Sequence, residues 1–151
     1  MSDRYAACFA GPVAPNAAST QVAVIGSRGQ GRAHLYDWLF GHVGAAADNV
    51  ISNTLNRFTA IPTGPAAVVP VALDMAAGTH GVTCYQNATT GTVTASSCLI
   101  SIATNQRASH RWVAAPDGEL VIPATDASGI YYHAGHASLA TNQETTFHWT
   151  S

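Results

Sequence analysis

"AHLYDWLFG", residues 33–41, is the stretch on which the fold turns. In an extended chain His34, Tyr36, Trp38 and Phe40 fall on one side, and Leu35, Asp37 and Leu39 on the other. Large side chains at period two mark a strand; a helix would space them three and four apart. The preceding "GSRGQGR" (26–32) follows a short β-branched run, "TQVAVIG". Glycines after a strand suggest a phosphate cradle. A Walker loop ends in Gly-Lys-Ser/Thr, however, and a dinucleotide fingerprint opens a helix. The chain has no lysine, and residues 33–41 alternate. The loop therefore reads as a plain connection.

The same period recurs outward from this point. Residues 50–60, within "AAADNVISNTLNRFTAI", read as a strand, although Asp48 as an N-cap leaves a helix over 45–57 open. Pro62, Pro65 and Pro70 confine any strand in "PTGPAAVVPVALD" to a sheet edge. Two or three further strands fall between Val82 and Ala103, around a turn at "NATTGT". "RASHRWVAA", "PDG" and "ELVIPA" read as a hairpin in which Arg111 and Glu119 face each other across the turn. "GIYYHAGHA" and "ETTFHWTS" supply the last strands. The expectation is an all-β chain of about eight to ten short strands, folded as a sandwich, jelly roll or barrel.

Residues 1–20, with Pro12 and Pro15, read as an extended N-terminal arm, and 21–151 as one β-sandwich domain. The apolar run of the arm is too short and broken for a signal peptide. No run approaches the roughly 20 apolar residues that span a bilayer.

Composition narrows the function. Charged residues make up 9% of the 151, against about 25% in a typical soluble domain. Such a surface loses little hydration when a partner covers it, which suits work inside an assembly. The net charge is −2 and the six arginines are scattered, so neither nucleic acid nor an acidic membrane is an expected partner. Cys8, Cys84 and Cys98 show no CxxC spacing; they read as buried free thiols, with a Cys84–Cys98 bridge as the alternative.

Reactive motifs are thin. His133 and His136 are three apart, a spacing that sends strand side chains to opposite faces, and no cupin-like HxH with a downstream glutamate occurs. There is no GxSxG elbow. Among the carboxylates, Asp37, Asp48, Asp74, Asp117, Glu119, Asp126 and Glu144, Asp117 belongs to a turn. Asn87-Ala88-Thr89 is a glycosylation sequon with meaning only in a secretory pathway. The expectation is no enzyme, no cofactor, no catalytic residue and no metal site. A cupin-like metalloenzyme using His110, His133, His136 or His148 stands as an alternative. So does a carbohydrate- or receptor-binding module that stacks sugars on the "GIYYHAGH" aromatics.

Four pieces, "LYDWLFG", "ADNVISNTLNRFTA", "VPVALD" and "NQRASHRWVAAPDGELVIPA", together resemble small structural proteins of tailed bacteriophages and phage-like elements. The matching positions are Tyr36-Asp37, Ala47-Asp48-Asn49, Arg57-Phe58-Thr59-Ala60 and Asn105 through Thr125, within residues 30 to 130; the last is the specific part. The N-terminal arm and the tail from Tyr132 to Trp149 have no counterpart in that pattern. The resemblance implies a jelly-roll-like antiparallel β-sandwich that decorates or cements a capsid, with a module of a phage tail or fibre as the binding alternative. It would be made in the host cytoplasm and carried on the virion surface. Its partners would be the major capsid protein, other virion subunits and copies of itself, as dimer or trimer. Tyr5, Phe9, Arg107, Arg111 and Trp149 are the candidate interface residues.

Overall fold

A computed structural model describes residues 3–13, 22–25, 31–45, 47–59, 66–78, 81–86, 97–125, 128–135 and 142–151. These residues form strands and connections, with no helix. The strands are β1 (Arg4–Val13), β2 (Val22–Ile25), β3 (Ala33–Val43), β4 (Val50–Phe58), β5 (Ala66–Val68), β6 (Val71–Ala72), β7 (Thr83–Gln86), β8 (Cys98–Asn105), β9 (His110–Val113), β10 (Leu120–Ile122), β11 (Gly129–Gly135) and β12 (Asn142–Thr150). Where a helix over 45–57 was open, Val50–Phe58 is strand β4. The turn at "NATTGT" and the sequon at Asn87 lie outside the described residues.

The pairing is nested. β1 lies against β12, β2 against β11, β3 against β9 and β10, β4 against β8, and β5 against β7. The first part of the chain thus meets the last part in reverse order, as in an antiparallel ribbon rolled over on itself. One sheet runs β10-β3-β12-β1-β6, with β9 also on β3; the other runs β5-β7-β2-β11-β4-β8. The result is an all-β, jelly-roll-like sandwich of two antiparallel sheets.

Alternation explains the core. Tyr5, Ala7 and Phe9 of β1, Phe147 and Trp149 of β12, and Trp38 and Phe40 of β3 point inward from the first sheet. Ile51 and Leu55 of β4 and Ile130, Tyr132 and Ala134 of β11 meet them from the second. Tyr5 stacks on Trp149 with ring centroids 6.1 Å apart, and Phe9 meets Phe147 edge-on at 5.7 Å.

The described part of the expected arm is therefore a strand inside a sheet. Tyr5 and Phe9 are each 1% exposed and Trp149 is fully buried, so these three candidate interface residues belong to the chain's own core. The reason is their alternation, which places all three on inward positions of neighbouring strands. Residues 14–20 lie outside the described residues.

The expected hairpin is also corrected. β9 and β10 do not pair with each other. Val113 opposes Asp37 and Leu120 opposes Leu35, so both run along β3 as two lengths of one edge strand. Residues 114–119 loop out between them. The Pro116-Asp117-Gly118 turn is real: Gly118 N–H donates to Ala115 O at 2.8 Å, and Asp117 has φ 62°. It closes this outward loop and does not join two paired strands.

The loop sits beside a bulge in β3. His148 of β12 opposes Asp37 and Trp149 opposes Leu35, leaving Tyr36 as an extra residue. Up to Leu35 the odd positions point inward; from Trp38 the even ones do. Ala114 N–H donates to the Tyr36 carbonyl at 2.8 Å, satisfying the bulged peptide.

Candidate functional site

The bulge puts Asp37 on the outer face of the first sheet, where two strands close over it. Arg111 on β9 donates through Nε to Oδ1 at 2.9 Å and through a terminal nitrogen to Oδ2 at 2.8 Å. His148 on β12 lies with Nδ1 2.9 Å from Oδ2, and the Tyr36 ring covers that imidazole with centroids 6.2 Å apart. The Asp37 side chain is only 2% exposed although Arg111 is 61% exposed. Burial pushes the Asp37 pKa up, but hydrogen bonds from Arg111 and His148 outweigh it and hold the carboxyl below its ordinary value. Burial raises the Tyr36 phenol, with Arg4 opposing. This arrangement holds a buried carboxylate ionised. Glu119 is not the partner of Arg111, because the expected hairpin does not form.

A second clamp joins the loop after β3 to the turn after β8. Arg107 Nε lies 2.9 Å from Asp48 Oδ1, with both side chains largely exposed. Asn49 Nδ2 donates to Gln106 Oε1 at 3.2 Å, Gln106 N–H returns to the Asn49 carbonyl at 2.9 Å, and Gln106 Nε2 reaches the Ala45 carbonyl at 2.8 Å. Tyr36-Asp37 and Ala47-Asp48-Asn49 thus both meet the Asn105–Thr125 stretch in space. Arg107 and Arg111, the two remaining candidate interface residues, are exposed but already paired within the chain.

The described histidines of the metalloenzyme alternative do not converge. His110 and His148 lie on the first sheet and His133 on the second, while His136 is outside the described residues. Among the described residues no group of three or more His, Cys, Asp or Glu side chains is placed to hold a metal. Cys8 and Cys98 are exposed and Cys84 is buried, and all three are free; burial raises the Cys84 thiol. Tyr131 and Tyr132 are 7% and 0% exposed, so neither offers a ring for sugar stacking; burial pushes Tyr131 up to about 12.

No family model, curated protein or solved structure matches the chain. The functional reading therefore rests on surface chemistry.

Two surface features stand out. A groove of about 410 Å³ crosses β9, β3 and β12, lined by Leu39, Gly41, Ser109, Arg111, Glu144 and Thr146 among others. Gly41 is part of this lining, and a Cβ there would meet Ser109 Cβ at 3.6 Å, an ordinary contact.

The other feature is an apolar row beside β6, at the edge of the first sheet. Val69, Val71, Leu73 and Met75 are 80%, 64%, 53% and 102% exposed. The row is held firmly. Leu73 N–H donates to Arg4 O at 2.8 Å, Asp74 Oδ1 accepts from Ala76 N–H at 2.9 Å, and Ala77 N–H donates to Asp74 O at 3.0 Å. Tyr5 Oη donates to Gly78 O at 3.0 Å, and Asp3 Oδ2 accepts from Gly78 N–H at 3.3 Å. Alternation in "VPVALDM" was legible; only the fold shows that these side chains face outward.

Inside the sandwich, a buried polar group adjoins the cross-strand pair His42 and Gln143. Tyr132 Oη lies 2.7 Å from Asn53 Oδ1 and 2.5 Å from Gln143 Oε1. Both His42 ring nitrogens and Gln143 Nε2 are buried with no hydrogen-bond partner among the described residues. Burial lowers the His42 pKa.

Proposed function

We propose that the chain is a virion structural protein: a capsid decoration or cement subunit that oligomerises and stabilises a shell through contacts with the major capsid protein. The observation that carries this reading is the apolar row at 69–75. Exposed apolar side chains scattered singly need no explanation; four in one short segment, fixed by a network of hydrogen bonds, form a contact surface. Preorganisation lowers the entropy lost when such a surface is covered.

The electrostatics support the same reading. Asp37 and Asp48 are bonded to Arg111 and Arg107, and charged residues are only 9% of the chain, so a partner meets a sparsely charged surface. A shell repeats its subunits, and multivalency turns modest interfaces into firm attachment. The resemblance at Asn105–Thr125 points the same way. The subunit is placed on the capsid surface after synthesis in the host cytoplasm.

The test is a pair of substitutions in the row, Val71→Glu and Met75→Glu, introduced into the phage or phage-like element. Particles should lose the chain and rupture at a lower temperature. Full retention of the double variant with unchanged heat resistance would contradict the reading.

A second reading, a carbohydrate- or receptor-binding module, draws on the Gly41 groove, whose lining offers Ser109 and Thr146 hydroxyls and the Glu144 carboxylate. A glycan array probed with the isolated protein tests it. Tight binding abolished by Gly41→Leu would favour it over the decoration role.

A further inference from the structure

We propose that the apolar row is one half of a two-fold interface, and that its occupant is a second copy of this chain. This rests on reading the row as an assembly surface and names its partner.

Backbone geometry is the first argument. Leu73 N–H is bonded to Arg4 O, and Val71 and Ala72 oppose Ala6 and Tyr5. In an antiparallel ladder successive residues turn their polar groups to opposite sides. Val71 and Leu73 therefore face β1, and the Ala72 N–H and C=O face away from it, along the edge of the sheet. A two-fold axis at Ala72 lets two copies exchange both of those bonds. Pro70, two residues earlier, has no N–H to extend the ladder. The edge therefore accepts one symmetric pair and resists open-ended strand addition.

The resulting register is self-complementary. Counting outward from Ala72, Val71 comes opposite Leu73 of the other copy, as a two-fold interface requires; the chain bends and turns over 73–76, so Met75 and Val69 flank this pair outside the ladder. Val69 also helps line a small apolar crevice of about 200 Å³, with Val68, Pro70, Val82 and Tyr85 among its walls. Met75, unbranched and fully exposed, has the shape to enter that crevice in the other copy.

Sedimentation velocity of the isolated protein across a concentration series tests this without any shell. The wild type should sediment as a dimer at micromolar concentration. Met75→Glu, at a fully exposed position, should weaken the dimer at least tenfold with an unchanged near-ultraviolet circular dichroism spectrum. Val50→Glu, exposed on β4 of the other sheet, should leave it intact. A wild type that stays monomeric, a trimer, or a dimer that survives Met75→Glu would overturn the inference. A monomer that still joins particles would sink the dimer alone; a dimer absent from particles would sink the decoration reading alone.

Discussion

Arg111 grips Asp37 with two parallel hydrogen bonds, Nε to Oδ1 at 2.9 Å and a terminal nitrogen to Oδ2 at 2.8 Å. The pair ties the edge strand β9 to the central strand β3 at its bulge, and His148 brings β12 into the same contact. Asp37→Asn keeps the shape but removes the charge that both donors address. It should destabilise the fold by about 1–3 kcal/mol, the range for losing charge-assisted bonds to a buried group. Urea melts measure this; an unchanged midpoint would mean that the cluster adds nothing to stability.

The same carboxylate sets an acid limb. Its folded pKa lies below the unfolded value of about 3.9. Its stabilisation is therefore complete above that value and is lost as the pH falls through the lower, folded one. A plot of stability against pH should drop more steeply below about pH 4 in the wild type than in Asp37→Asn.

His42 acts in a different window. Burial lowers its pKa, so the unfolded chain takes up a proton first as the pH falls below about 6.5. Stability should decline from there, and His42→Leu should flatten the decline. Replacing two unpartnered ring nitrogens by an apolar group should also stabilise the protein at pH 8, by about 1 kcal/mol. Thermal melts at pH 5 and pH 8 check both effects.

How much of this was legible in the sequence differs by element. β3 was readable as a strand, but an inserted residue at Tyr36 reverses the inward side halfway along, and strict period two cannot register that. β1 was hidden by Pro12 and by small residues. The alternation of Tyr5, Ala7 and Phe9 was the signal that could have found it. In the hairpin segment, turn chemistry located the Pro116–Gly118 turn correctly. A turn does not say which strand receives its flanks, however, and both flanks went to β3. The Asp37, Arg111 and His148 contact joins residues up to 111 positions apart, so no local pattern announces it.

The looped-out segment supplies a direct check of that topology. Deleting Ala115–Glu119 leaves Ala114 opposite Tyr36 and joins β9 to β10 as one continuous edge strand. The shortened chain should fold, with near-ultraviolet circular dichroism close to the wild type. A true hairpin would lose its turn and register, so an unfolded product would contradict the pairing described above.

The N-terminal strand supplies another. Removing residues 1–13 strips Tyr5, Ala7 and Phe9 from the core and exposes Trp149. Loss of one large aromatic alone costs about 3–5 kcal/mol, so the truncated chain should be unfolded at 25 °C. A folded, soluble product would show that this segment acts as a detachable arm.

The most direct measurement of the central claim is quantitative mass spectrometry of purified particles from cells carrying the gene. This chain should be present in a fixed ratio to the major shell subunit and be retained through density-gradient purification. Particles that contain the shell subunit but none of this chain would contradict it.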